Sequence, residues 1–212
     1  MASSFPTSDD PAPTTVHVVD RDVVVRRGLN VVLRAAGLVT RTYASLTEFQ
    51  DEEGVGERGC VVADLETVGT DAAELILRLR RRGRLLPLII TTAHGDVPMA
   101  VEAMRAGAWD ILLKPLDAMG LLTSVRAALY AGARVSPTPD VAESGFRDLL
   151  LALSPRERLV LRGVVAGQAN KLIAYELGIS PRTVEAHRAS MMTKTGATSL
   201  SNLVRMAMLA GL

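Results

Sequence analysis

The sequence predicts an α/β domain built on a doubly wound, five-stranded parallel sheet, followed by a smaller all-α domain of four helices. Three observations carry this. Over residues 15–132, five short apolar runs alternate with amphipathic helical segments, the pattern of a parallel sheet covered on both faces. The pattern breaks at GARVSPTPDVAESG (132–145), which holds two prolines, two glycines and no apolar periodicity, as a linker does. Beyond it, residues 149–212 read as helix only. The expected layout is a disordered tail at 1–14, the α/β domain at 15–132, a linker at 133–148 and the helical domain at 149–212.

The strands are VHVVD (16–20), LVTRTY (38–43), CVVADL (60–65), LIITTA (88–93) and DILLK (110–114). After the first, Leu29, Val32, Leu33 and Ala36 share a helical face that Gly37 closes. Ser45 is placed to cap a short helix carrying Leu46 and Phe49. Leu75, Ile76 and Leu79 form a third face, closed by Gly83. Val97, Val101 and Met104 form a fourth, and Leu122, Val125 and Leu129 a fifth. In such a domain the ligand site lies beyond the carboxyl ends of the strands.

Hydrophobic residues make up 48% of the 212, enough for a core, but only 3% are aromatic, so Leu, Val, Ile, Ala and Met must fill it. The net charge of +1 marks neither a nucleic-acid nor a membrane partner for the chain as a whole. Cys60 is the only cysteine, which excludes an internal disulfide and a cysteine-based metal cluster; its apolar setting reads as a packed thiol. No apolar run has the length of a membrane span. The N-terminus has no basic segment followed by an apolar one, so a secretory signal is not expected. These features suggest a cytoplasmic protein with no membrane partner.

Several strand ends bring chemistry to one edge: Asp20 and Asp22 after the first, Asp64 at the third, Thr91 and Thr92 at the fourth, Lys114 at the fifth. A central carboxylate, a hydroxyl, a lysine and a further acid form a set that handles a phosphoryl group. The carboxylate is the nucleophile, and the lysine and hydroxyl hold the phosphoryl oxygens. A strand-end Asp more often only caps a helix; four such residues at four strand ends outweigh that reading.

Residues 15–132 resemble the receiver domain of two-component response regulators, a flavodoxin-like fold, most closely in the FixJ branch. The carriers are VHVVD and TTAHGDVPMAVEAMRAGAWDILLKP (91–115). The resemblance implies phosphate transfer from a sensor histidine kinase to Asp64. It makes Thr92 the switch hydroxyl, Lys114 the phosphate-binding lysine, and the bond before Pro115 cis. It also implies homodimerisation through about residues 97–113.

The sequence departs from the family at three places. Where a second acid normally binds the metal, it has Arg21. The segment after Asp64, DLETVGTDAAEL, lacks the usual Met-Pro and Gly. The switch position three before the lysine is Ile111, with no aromatic ring. Asp20 and Asp64 remain as metal ligands, so Mg2+ is possible but disfavoured by Arg21, which repels a cation and pairs with carboxylates. Arg21 has three readings: it replaces the metal in an ion pair with Asp64; Asp22 takes over as metal ligand; or Arg21 faces solvent beside a vestigial pocket. Asp22 also suits a helix cap. A degenerate receiver, weakly dependent on phosphorylation or independent of it, is expected, the alternative being conventional activation by phosphorylation of Asp64. His17 reads as a packed or edge histidine, His94 as a solvent-facing loop residue, and Trp109 as core or dimer packing.

In the last segment, Ser154-Pro155-Arg156-Glu157 is a capping box with proline at the first helical position. Gly167 ends that helix. Asn170 is placed to cap the next, with Leu172, Ile173 and Leu177 inward, and Gly178 turns the chain. Ser180-Pro181 starts a third helix running to about Thr195, and a fourth follows Ser199, with Leu203, Val204 and Ala207 inward. Two short helices joined by a glycine turn form a helix-turn-helix. In the third helix Val184, His187 and Met191 form the inward stripe, and His187 reads as packing. Arg182, Glu185, Ala186 and Ala189 form the outward stripe, flanked by Arg188 and Lys194, with Thr183 at the helix start. Eight basic residues stand against three acidic ones from Leu149 onward, a local charge suited to phosphate contact.

This segment resembles the LuxR-type DNA-binding domain across nearly its full length, through LSPRE, AGQANKLIAYELGISPRTVEAHR and SLSNLVRMA. The resemblance implies a recognition helix at 181–195 and double-stranded DNA bound by a dimer at two half-sites. The expected DNA contacts are Lys171, Arg182, Thr183, Glu185, Ala186, Arg188, Ala189 and Lys194. Arginine suits guanine and glutamate suits cytosine N4. A transcription regulator rather than an enzyme is expected.

Overall fold

The computed structural model describes residues 14–52, 58–83, 85–94, 97–133 and 150–212. The expected tail and linker, apart from residues 14 and 133, lie outside them. Five parallel strands form one sheet: β1 (Thr15–Val19), β2 (Val39–Tyr43), β3 (Gly59–Asp64), β4 (Leu88–Thr92) and β5 (Asp110–Leu113), in the order β2-β1-β3-β4-β5. The order reverses between β1 and β3, the switch point at which α/β sheets bind ligands. At the start of β3, Gly59 has φ +152°, and a Cβ there would lie 2.1 Å from the Thr15 carbonyl oxygen, so only glycine lets β3 approach β1.

One face of the sheet is covered by α1 (Val23–Ala35) and α6 (Ala118–Ala133). Val16, Val18, Cys60, Val62 and Ile89 meet Leu29, Leu33, Leu121, Val125 and Ala128 there. The inward residues of α6 are thus Leu121 and Ala128 beside Val125, and the expected Leu122 and Leu129 are only half-buried. Burial pushes the Cys60 thiol up to about 12, so it stays protonated and inert at neutral pH.

The other face carries α2 (Leu46–Asp51), α4 (Ala72–Arg81) and α5 (Val97–Ala106). His17 packs here against Phe49, ring centroids 5.3 Å apart, with Nδ1 3.0 Å from the Tyr43 hydroxyl. It is a packed histidine on a strand with neighbours on both sides. Between β3 and α4 a short helix, α3 (Leu65–Val68), begins directly after Asp64.

Four helices follow residue 150: α7 (Pro155–Val165), α8 (Asn170–Leu177), α9 (Pro181–Thr195) and α10 (Leu200–Leu209). Ser154 and Glu157 complete the capping box of α7, and Ser180 and Ser199 cap α9 and α10. Asn170 does not cap α8: the N-cap is Ala169, without a side-chain bond, and Asn170 Oδ1 accepts from Arg188 Nη1 at 3.1 Å. Leu172 is exposed, so α8 packs through Ile173 and Ala174. A Cβ on Gly163 would lie 2.8 Å from Ile173 Cγ1, and its lack of a side chain sets the close approach of α7 and α8. Val160, Leu161, Val184, Met191, Leu203 and Val204 fill the centre, continuous with the core under α4 and α5.

Candidate functional site: an acidic pocket and a docked helical domain

Asp20, Asp64, Thr92 and Lys114 come from the ends of four strands and meet at the carboxyl edge. Lys114 Nζ lies 2.8 Å from Asp20 Oδ2 and 2.7 Å from Asp64 Oδ1. The cis Lys114–Pro115 peptide follows directly. Burial lowers the Lys114 pKa, but the two carboxylates reverse this and leave it raised. Asp20 Oδ1 accepts from Asp22 N at 2.8 Å.

Asp64 is also the N-cap of α3. Its Oδ2 accepts from Thr67 N at 2.7 Å and from Thr67 Oγ1 at 2.6 Å. Burial pushes the Asp64 carboxyl up, and a hydrogen bond with Glu66 pushes it the same way, against Lys114 and Thr67. Burial also acts upward on Glu66, yet hydrogen bonds with Asp64, Thr92 and the Ala93 amide hold it at about 2.

Arg21 does not meet Asp64. Its side chain is exposed, and its backbone N–H donates to Thr67 Oγ1 at 2.7 Å. The expected ion pair is absent among the described residues because Lys114 already neutralises the acceptor. Asp22 is not a substitute metal ligand either: it caps α1, accepting from Val24 N at 2.8 Å and Val25 N at 3.4 Å. Mg2+ takes several oxygen ligands. Both remaining acids face Lys114, and no group of three or more His, Cys, Asp or Glu among the described residues is placed to hold a metal ion. The donor set does not fit Mg2+.

Glu66 and Thr67 are site residues that the sequence does not announce, in a segment marked only by its missing Met-Pro and Gly. The available signal was an Asp followed three positions later by a hydroxyl-bearing residue, an arrangement suited to a capped turn.

The face at residues 97–113, expected to meet a second copy, is packed against the helical domain instead. Ser201 Oγ lies 3.2 Å from both Ile111 N and Ile111 O, and Ser199 Oγ is 3.0 Å from Asp110 Oδ1. Ser201 also donates to Asp110. The Arg205 guanidinium stacks 3.9 Å over the Trp109 ring, and Arg105 Nη2 donates to the Val165 carbonyl at 2.8 Å. Ile111, the expected switch residue, is buried in this contact.

On α9, Arg182, Glu185, Ala186 and Ala189 are exposed together, with Thr183 half-buried at the helix start. The flanking cations differ. Lys194 is tied to both Glu157 oxygens, at 2.9 and 2.8 Å. Arg188 and Lys171 line a cleft of about 590 Å³ between the domains, opposite Val97 and Ile111. In this arrangement Lys194 and Arg188 are engaged within the protein, unlike the outward stripe. His187 is half-buried between its stripe neighbours, the buried Val184 and Met191.

Comparison with known proteins matches residues 16–126 to the response regulator receiver domain and residues 151–207 to the luxR family of bacterial regulatory proteins. The chain is similar to the transcriptional regulatory protein FixJ of Azorhizobium caulinodans, 46% identical with 95% of each chain covered. It is 42% identical to FixJ of Bradyrhizobium diazoefficiens, over 93% of this chain and 96% of that one. Among solved structures, full-length FixJ from B. japonicum is 41% identical with a TM-score of 0.52, covering 93% of this chain and 97% of that one. The response regulator StyR is 36% identical with a TM-score of 0.54, covering 93% and 99%.

Proposed function

The chain belongs to the two-component response regulators of FixJ type, DNA-binding transcription regulators, and on that premise we propose that its receiver works only weakly through phosphorylation of Asp64, or independently of it. The carrying observation is Arg21, which stands exposed where the family has its second acid. Without that acid, Asp20 and Asp64 share Lys114. A donor set so engaged is poorly prepared to neutralise an incoming phosphoryl group.

In this reading the docked arrangement is the resting state. The receiver face at 97–113 is occupied by α10, so a homodimer through that face forms only when the helical domain leaves. Released, the domain binds double-stranded DNA, with Arg182, Glu185, Ala186 and Ala189 at base edges and Thr183 and Lys171 at phosphates. Arg188 and Lys194 join only if their internal bonds break. The setting is cytoplasmic; no described helix is long and apolar enough to cross a membrane.

The second reading, conventional activation by a histidine kinase, is favoured by the convergence of Asp64, Thr92 and Lys114. Intact-mass spectrometry after incubation with acetyl phosphate and MgCl2, with Asp64→Asn as control, separates the two. A small or absent adduct together with operator binding by untreated protein supports the weak receiver. Rapid, complete addition that the control lacks, with DNA binding that follows it, supports the conventional one.

A further inference from the structure

An oxygen that collects both a hydroxyl and a backbone amide at the end of a parallel sheet makes the contacts a phosphoryl oxygen would make there. Glu66 Oε1 does this. It accepts from Thr92 Oγ1 at 2.9 Å and from Ala93 N at 3.0 Å. The same carboxylate stands two residues beyond the acceptor Asp64, in the first turn of the helix that Asp64 caps. Thr92 is 1% exposed, so solvent does not compete for its hydroxyl, whose other contacts are to the His94 backbone. Lys114, the third donor suited to a phosphoryl group, is held by Asp64 and Asp20.

The local fold explains the placement. Asp64 caps α3 through Thr67, so the chain turns immediately after the acceptor, and Glu66 lies in the first turn of that helix. Its side chain reaches across to the end of β4, the neighbour of β3 in the sheet. The Glu66 side chain is 33% exposed, so it has a path outward into solvent.

We propose that Glu66 is a built-in occupant of the phosphoryl-oxygen site, competing with a small phosphodonor for Thr92 and Ala93. The inference rests on the reading of a weakly phosphorylated receiver and names the residue responsible. A phosphoryl group entering the pocket meets a carboxylate of its own sign already seated on its donors. It must displace that carboxylate before the phosphorus–acyl oxygen bond of the donor breaks, the Asp64–phosphorus bond forms, and acetate leaves with the electron pair. Glu66 is thus a positioning residue whose effect is to block.

The test is a time course of intact mass on the full chain with acetyl phosphate and MgCl2. Wild type is compared with Glu66→Ala, Glu66→Gln, Arg21→Asp and the double variant Asp64→Asn/Glu66→Ala. The expected result is an adduct that forms roughly tenfold faster or more in Glu66→Ala, the scale of losing a charge-assisted hydrogen-bond competitor. Glu66→Gln falls between, because its amide oxygen still accepts from Thr92 and Ala93 without the charge. The double variant gains nothing. Amide exchange at Ala93 gives the second readout and speeds up in Glu66→Ala. Equal rates for wild type, Glu66→Ala and Glu66→Gln overturn the proposal. If wild type is slow, both Glu66 variants are equally slow and Arg21→Asp is fast, the weak receiver stands and the blocking role of Glu66 falls. If wild type is already fast and Glu66→Ala is faster still, the blocking role stands and the weak receiver falls.

Discussion

Ser201 Oγ accepts from Ile111 N at 3.2 Å and gives its proton to Asp110, so a side chain of the last helix closes on the open edge of the receiver sheet. β5 is an edge strand, and an edge strand presents unpaired backbone groups that other chains can recruit. Here the recruit is the protein's own DNA-binding domain. The seam is polar and specific, with Asp110 taking both Ser199 and Ser201.

Ser201→Ala removes that closure together with the hydroxyl's bond to Asp110, while Ile111 N keeps Asp110 Oδ1 at 2.9 Å, at a cost of about 1–3 kcal/mol to docking. The expected outcome is a more extended particle in small-angle scattering and a greater tendency to self-associate in sedimentation. An unchanged radius of gyration would count against the docked resting state.

Trp109 is the only tryptophan and lies under Arg205, so its fluorescence reports the seam directly. Arg205→Ala removes a cation–π contact worth about 0.5–2 kcal/mol. Emission should move to the red and acrylamide quenching should rise. The same changes should accompany any natural signal that opens the protein; no change in Arg205→Ala means that the ring is shielded by something other than the seam.

Glu157 gives the DNA-binding domain a pH dependence. Burial pushes its carboxyl up, but bonds with Lys194, Ser190 and Ser154 outweigh this and hold it at about 2, below its ordinary 4.5. An acid whose folded pKa is depressed contributes stability that is fully present above its unfolded pKa and is lost as pH falls through the folded one. The contribution is on the order of 3 kcal/mol, lost between about pH 4.5 and 2. Glu157→Gln should cost about 1–3 kcal/mol at neutral pH, because it removes the buried charged acceptor shared by Lys194, Ser190 and the Ser154 amide, and should flatten that slope. Urea unfolding across pH measures both effects, and a slope unchanged in Glu157→Gln assigns it to other acids.

On DNA, Arg182→Ala should cost about 1–3 kcal/mol and relax base preference at one position. Lys171→Ala should weaken binding evenly across sequences and reduce the salt slope by about 1. Lys194→Ala, by contrast, should first cost stability, because its ammonium is held by Glu157. Binding isotherms at several salt concentrations, paired with thermal melts, distinguish these behaviours.

The sequence was most informative where local rules are strong. Apolar runs located all five strands, and Ser154-Pro155 and Ser180-Pro181 marked the starts of their helices. It was less informative where one position had two local options. Asn170 has a side chain capable of capping a helix, but a partner across the fold, Arg188, claims it. Leu172 shares its expected inward face with Ile173 and Leu177, yet helical spacing suits Ala174 beside Ile173 equally well, and Ala174 takes the buried place.

By itself, then, the sequence determined the architecture, the two-part organisation, and which residues stand at the strand ends, because backbone periodicity and capping are short-range matters. Only the tertiary structure decided how those residues are used. Arg21 faces outward, since Lys114, 93 positions away, already neutralises both acids. Glu66 sits on Thr92, since adjacent parallel strands bring the turn after β3 against the end of β4. Ser201 closes on Ile111 across 90 positions of chain. Such pairings depend on which surfaces come into register in space, and sequence periodicity carries no record of that.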